Sequence, residues 1–146
     1  MIRILVFVTS VFVFFGCDQS DKTVIHIWHQ MLYENRKALR EVCDRYEEFH
    51  PEIKINLTYR ETEELRSNFQ SSAIGGSGPE LIYGPSDQVG PFAVMGIIQS
   101  LDELFSSSYF DQFLPNAVVR FQDQIWMVGD GVGNHLMLMF NKELIL

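Results

Sequence analysis

Between residues 23 and 83 the hydrophobic pattern changes period four times, and this alternation restricts the chain to a narrow group of folds. Thr23-Val24-Ile25-His26-Ile27-Trp28 is a short run rich in β-branched residues and reads as a buried strand. From Tyr33 to Phe49 the spacing shifts to threes and fours. Leu39, Val42, Cys43, Tyr46 and Phe49 make an apolar stripe between Glu and Arg, the pattern of an amphipathic helix. Pro51 stops that helix, because the residue before a proline is pushed out of helical geometry. Ile53, Ile55, Leu57 and Tyr59 then alternate with polar residues, which predicts a second strand. A second helix is expected from Glu61 to Ile74, with Leu65, Phe69, Ser72 and Ala73 facing inward. Gly75-Gly76-Ser77-Gly78-Pro79 ends it, and Leu81-Ile82-Tyr83 reads as a third, very short strand.

Strand, helix, strand, helix, strand at this spacing predicts an α/β fold built from βαβ units around a mostly parallel sheet. Further along, Gly84-Pro85-Ser86 turns the chain, and Ser86 or Asp87 is placed to cap a helix running to about Val94. Leu101 to Phe113 suggests two short helical pieces around a Ser-rich break. Gln124–Val128 and Leu136–Phe140 are further strand candidates, and the mature part carries no internal repeat. Ligands of parallel sheets sit beyond the carboxyl ends of the strands. Three loops leave such ends here: His29–Leu32, the start of the Glu61 helix, and Gly84–Gln88. The first and third place polar groups beside aromatic ones, the composition a sugar site needs.

The first residues follow another logic. Arg3 precedes an apolar run from Ile4 to Phe15 and then Gly16-Cys17, which reads as a secretion signal. The run falls short of the roughly 20 apolar residues that cross a bilayer. Gly16-Cys17 resembles the lipobox of bacterial lipoproteins, in which the Cys becomes the lipidated N-terminus, although Phe14 stands where that motif prefers Leu. Asp18 resembles the residue that retains lipoproteins of Gram-negative cells on the inner membrane. On this reading residues 1–16 are a signal peptide, Cys17 is lipidated, and 17–22 form a tether. Asp and Glu outnumber Lys and Arg by 19 to 11, giving a formal charge of −8, which argues against nucleic acid as a partner. Cys43, on the helical stripe, is expected to be a small buried hydrophobe. No disulfide framework is expected, and the spacing of the four histidines does not suit a metal site. No cofactor is called for.

Gly78-Pro79-Glu80-Leu81-Ile82-Tyr83-Gly84-Pro85-Ser86-Asp87-Gln88-Val89-Gly90 resembles a segment of the family 1 extracellular solute-binding proteins, the maltose-binding group. Three further features agree in order: an opening strand ending at Trp28, the Phe49–Ile55 helix-to-strand junction, and Phe140-Asn141-Lys142-Glu143-Leu144. The resemblance implies two α/β lobes that close on a ligand, with residues 23–132 as the first segment of the N-terminal lobe. Residues 133–146 would then be the hinge crossing and the start of a truncated second lobe. It implies a lipid-anchored protein on the outer face of the cytoplasmic membrane that passes a mono- or oligosaccharide to an ABC permease, and it implies no catalysis.

The same resemblance nominates ligand-contacting residues. Asp87 matches the family's sugar-binding Asp; the competing reading is an ordinary helix cap. Gln88 stands where maltose binders carry Arg, and Gly84 where they carry a stacking Trp. Tyr83 can supply a ring or belong to the core. Trp28, His29 and Gln30 are a second cluster, and Asn134 matches a hinge position held by Glu in maltose binders. Three alternatives remain at this level: a binding protein for an amino acid, polyamine or other small solute, a ligand-sensing receptor ectodomain, and a secreted glycoside hydrolase pairing Asp87 with Glu61 or Glu80.

Overall fold

A computed structural model describes residues 22–131 of the protein. Five strands and three α-helices follow one another in the order β1 (Thr23–His29), α1 (Tyr33–Phe49), β2 (Ile53–Tyr59), α2 (Thr62–Ile74), β3 (Leu81–Tyr83), α3 (Val89–Val94), β4 (Val118–Phe121) and β5 (Gln124–Val128). Short 3-10 turns at Ser86–Gln88, Leu101–Glu103, Ser107–Gln112 and Pro115–Ala117 fill the connections. The first three strands form a parallel sheet in the order β2-β1-β3. This is the βαβ arrangement that the change of period predicts. Because β1 connects one way to β2 and β2 crosses back over it to β3, right-handed crossovers put α1 and α2 on opposite faces.

The core on the α2 side is apolar. Leu65 and Phe69 of α2 are buried against Val89 and Phe92 of α3, with the Phe69 and Phe92 rings 5.1 Å apart. Burying each such side chain contributes about 1.5–3 kcal/mol. Beyond β3 the chain forms an antiparallel β4–β5 hairpin that is not continuous with the first sheet. Ser100 and Asp102 tie this hairpin down. The Ser100 hydroxyl donates to the Ile125 carbonyl at 3.3 Å, and the Asp102 carboxylate accepts the Ile125 N–H at 2.6 Å.

The α1 side is held differently. The apolar stripe read from the sequence does not form the inner face as a whole: Cys43 is buried, yet Val42 is 60% and Phe49 76% exposed. Arg40, Cys43 and Glu47 turn toward the sheet instead. The reason is a polar clasp on β2. Arg40 Nη1 donates to the Ile55 carbonyl at 3.0 Å, and Glu47 Oε1 accepts both the Ile55 N–H (2.9 Å) and Arg40 Nη2 (2.8 Å). Lys54 Nζ donates to the other Glu47 oxygen at 2.8 Å. These bonds orient α1 and carry Val42, Tyr46 and Phe49 outward, one helical step away.

Two other expectations change in detail. The pieces between Leu101 and Phe113 are 3-10 turns, and β4, which no sequence pattern announced, pairs with β5. The turn between them is Gln122-Asp123, both with positive φ (50° and 62°). Such two-residue hairpin turns usually carry Asn-Gly or Asp-Gly, so the ordinary signal is missing. Leu136–Phe140 lies outside the described residues.

The clasp predicts acid sensitivity. Bonds from Lys54 and from the Ile55 N–H pull the Glu47 carboxyl from 4.5 down to about 2. Its stabilising effect is therefore complete above pH 4.5 and is lost as pH falls from there toward 2. Glu47→Gln should lower the melting temperature of the intact protein at pH 7 by a few degrees and remove part of the decline below pH 4.5. Melts of parent and variant across pH 3–7 check this.

Candidate functional site

Parallel pairing brings the carboxyl ends of β1, β2 and β3 to one edge of the sheet. Two bonds extend the ladder past the strands: the Arg60 N–H donates to the His29 carbonyl at 2.9 Å, and the Gln30 N–H to the Tyr83 carbonyl at 3.3 Å. In register, Tyr59, His29 and Tyr83 form one row, and Thr58, Trp28 and Ile82 the next. Adjacent rows point to opposite faces. The loop after β1 and the loop after β3 lie on either side of the point where strand order reverses, where open α/β sheets bind their ligands.

The nominated residues that fall within 22–131 have definite places at or beside this edge. His29 is 1% exposed, 6.0 Å ring to ring from Tyr59, and is no solvated turn residue. Burial, and then the charge of Arg36, lower its pKa from the usual 6.5. Gln30 is half-buried with Oε1 sealed from solvent. Trp28 is half-buried, with the Arg60 guanidinium 4.9 Å from its ring centroid. Tyr83 is half-buried, and burial together with a hydrogen bond to Asp130 raises its hydroxyl pKa. Asp87 is exposed, and its Oδ2 accepts a bond from Gln88 Nε2 at 3.2 Å. Neither the turn at Ser86–Gln88 nor α3 takes a side-chain cap, so capping does not occupy the Asp87 carboxylate. Gly84 is backed by α2: a β-carbon there would come within 3.0 Å of Leu65 Cδ2. Asn134 and Cys17 lie outside the described residues.

Three residues join this edge that sequence reasoning did not nominate: Arg36, Tyr59 and Arg60. The Arg36 guanidinium sits 4.0 Å over the Tyr59 ring and donates to the Met31 carbonyl at 3.4 Å. The strand-end rule reaches the loop after β2 as well, at the start of the Glu61 helix; composition favours the loops after β1 and β3, which leaves Tyr59 and Arg60, at the end of β2, without a nomination.

Unmet hydrogen-bond capacity is concentrated here. Buried polar side-chain atoms are nearly always paired in native proteins. Five among the described residues are not, and four of them sit at this edge: His29 Nδ1, Gln30 Oε1, Arg36 Nε and Arg60 Nε. The fifth, Arg40 Nε, is 2.8 Å from the Asp44 carboxylate, so an ion pair compensates it. Two hollows open beside the edge. One, of about 480 Å³, lies between α2, β3, α3 and β5, with Asp87 and Gln88 among its lining residues. The other, of about 520 Å³, lies between α1 and β2 and is lined by His29, Arg36 and Tyr59.

The carboxylates considered as partners for Asp87 are committed elsewhere. Glu80 Oε2 accepts the His26 N–H at 2.7 Å, three residues back along β1 from its carboxyl end. Glu61 Oε2 accepts the Glu63 N–H at 2.9 Å and caps α2. Among the described residues no cluster of three or more His, Cys, Asp or Glu is placed to hold a metal ion.

The family model described as bacterial extracellular solute-binding protein matches residues 33–142, about three quarters of the chain. The chain belongs to this family. Among its relatives, the maltotriose-binding protein of Pyrococcus abyssi is 26% identical over 98 residues, covering 67% of this chain and 21% of the relative. The maltose/maltodextrin-binding domain MalE from Bdellovibrio bacteriovorus, bound to maltotriose, is 56% identical with a TM-score of 0.75, covering 85% of this chain and 32% of that one. The Thermus thermophilus maltotriose binding protein bound with maltotriose agrees in fold, with a TM-score of 0.63 at 20% identity over 70% of this chain and 28% of that one. The chain spans between 21% and 32% of the length of these relatives.

The buried imidazole makes a prediction. Its folded pKa lies below 6.5, so its neutral form fits the native protein at and above that pH. As pH falls below 6.5 the unfolded chain takes up a proton that the folded chain resists, and stability declines. His29→Gln should flatten the fall in melting temperature between pH 7 and 5. An unchanged pH slope in the variant would show that another group titrates.

Proposed function

We propose that the intact protein captures a sugar of the maltooligosaccharide class outside the cytoplasm and delivers it to an ABC importer, without catalysis. One observation carries this reading: the 56% identity, across 85% of this chain, to a maltose/maltodextrin-binding domain bound to maltotriose. The site supports it chemically. Asp87 offers an exposed carboxylate with one oxygen engaged by Gln88, and an ionised carboxylate accepts sugar hydroxyls in charge-assisted bonds. Trp28, His29, Gln30 and Tyr83 stand beside it at the same edge.

The chain departs from the maltose-binder pattern at several positions, with Gln88 in place of Arg, Asn134 in place of Glu, and Gly84 in place of the stacking Trp. With Gly84 packed on Leu65, no stacking ring is supplied at that position. In our reading this face holds its sugar mainly through polar groups, and ring stacking comes from other parts of the protein. On this reading residues 23–132 are the first segment of the N-terminal lobe, one wall of the cleft, and 133–146 are the hinge crossing and the start of the second lobe, with Asn134 as a further ligand contact. Closure of the two lobes on the sugar then produces the form that docks on the permease. Gly16-Cys17 supports lipidation at Cys17, which would hold the protein on the outer face of the cytoplasmic membrane. No helix among the described residues is long and apolar enough to cross a membrane.

A thermal-shift series on the intact protein tests the reading, because a ligand that binds only the folded state must raise its melting point. Maltotriose should produce a shift, while amino acids and polyamines should not; the reverse pattern would keep the family and replace the ligand class. Asp87→Ala should weaken maltotriose binding by about tenfold or more, the scale of one charged hydrogen bond. Affinity unchanged in that variant would remove Asp87 from the site.

A further inference from the structure

We propose that Arg60 is a ligand contact and a specificity determinant of this site, with Trp28 as the residue that aims it; the inference rests on the sugar-capture reading. Arg60 is the first residue past β2, and its main chain is pinned by the 2.9 Å bond from its N–H to the His29 carbonyl. Its guanidinium lies 4.9 Å from the Trp28 ring centroid, on the strand beside it. The side chain is half-buried, and Nε is sealed from solvent without a hydrogen-bond partner.

Among the described residues no carboxylate pairs with Arg60. The acidic residues next to it are otherwise engaged, Glu61 in capping α2 and Glu63 with Arg66. At the neighbouring loop, Asp87 accepts a bond from Gln88 on one oxygen and forms no ion pair with Arg60. A half-buried guanidinium without a counter-ion is unfavourable unless another group uses its donors. Stacking on Trp28 compensates part of that deficit and holds the plane of the group still.

Arg36 provides the contrast within the same fold. It also stacks on a ring, but it donates to the Met31 carbonyl and so helps close its own loop. The Arg60 side chain makes no hydrogen bond to a described residue. A planar guanidinium presents paired N–H groups whose spacing suits two adjacent hydroxyls, an arrangement a single ammonium cannot reproduce. The ligand chemistry it selects is therefore a vicinal diol of a pyranose ring, bound edge-on by Arg60.

Titration calorimetry of the intact protein with maltotriose tests this, with thermal melts run alongside to confirm folding. Arg60→Ala should weaken binding by about tenfold or more, and Arg60→Lys should recover only part of the loss. Trp28→Leu should weaken binding similarly, and the double variant should be little worse than Arg60→Ala alone, because the ring acts through the guanidinium. Parent-like affinity in Arg60→Ala would overturn the proposal while leaving sugar capture standing. Full recovery in Arg60→Lys would overturn the paired-donor geometry, and strictly additive losses would overturn the role of Trp28. A parent protein that does not bind maltotriose would bring down the sugar reading, and this inference with it.

Discussion

The arrangement of this lobe depends on β1 being hydrogen-bonded along both of its edges. Pairing with β2 over its whole length and with β3 at its carboxyl end leaves Trp28 and His29 little freedom. The two backbone bonds just past the strands carry that rigidity into Gln30 and Arg60. Trp28, His29, Gln30 and Arg60 thus stand on backbone tied to the doubly paired central strand, while Asp87 and Gln88 approach from a short turn beside it. A site built this way loses little entropy in ordering itself around a ligand.

The two faces of the sheet are held by opposite chemistry. On the α2 side, Leu65, Phe69, Val89 and Phe92 pack as an apolar core. On the α1 side, Arg40 and Glu47 bond to the backbone of an edge strand and satisfy groups that would otherwise be unpaired. Hydrophobic packing tolerates small slides between elements, whereas a carboxylate that accepts a strand N–H sets register. The clasp therefore fixes how far α1 advances along β2, and with it where Arg36 meets Tyr59.

Much of the fold was legible because it is local. The change from period two to period three or four, together with Pro51 and the Gly-rich run before Pro79, places the first three strands and two helices to within a residue. The strand β4 was not, since Val118–Phe121 is short and its turn lacks glycine. Nor was the inward face of α1, because its amphipathic pattern is outvoted by bonds from Arg40 and Glu47 to residues 15 and 8 positions away. Of the site, the strand-end rule pointed to the loops that hold His29, Gln30 and Asp87, and the family resemblance nominated those residues together with Trp28. The ring–guanidinium pairs were invisible, because nothing local in the sequence links Trp28 with Arg60 or Arg36 with Tyr59. The four orphaned polar atoms belong to the assembled edge and to no single segment.

The β2-β1-β3 order also sets a timetable. Ile27 pairs with Leu81, and Glu80 reaches back to the His26 N–H across 54 residues of chain. The middle strand of the sheet is therefore synthesised first and completed last. Until Tyr83 has emerged, one edge of β1 stays open, and closing so long a loop must precede the contacts that reward it. A nascent chain with this topology cannot complete its three-stranded sheet before Tyr83 has been made.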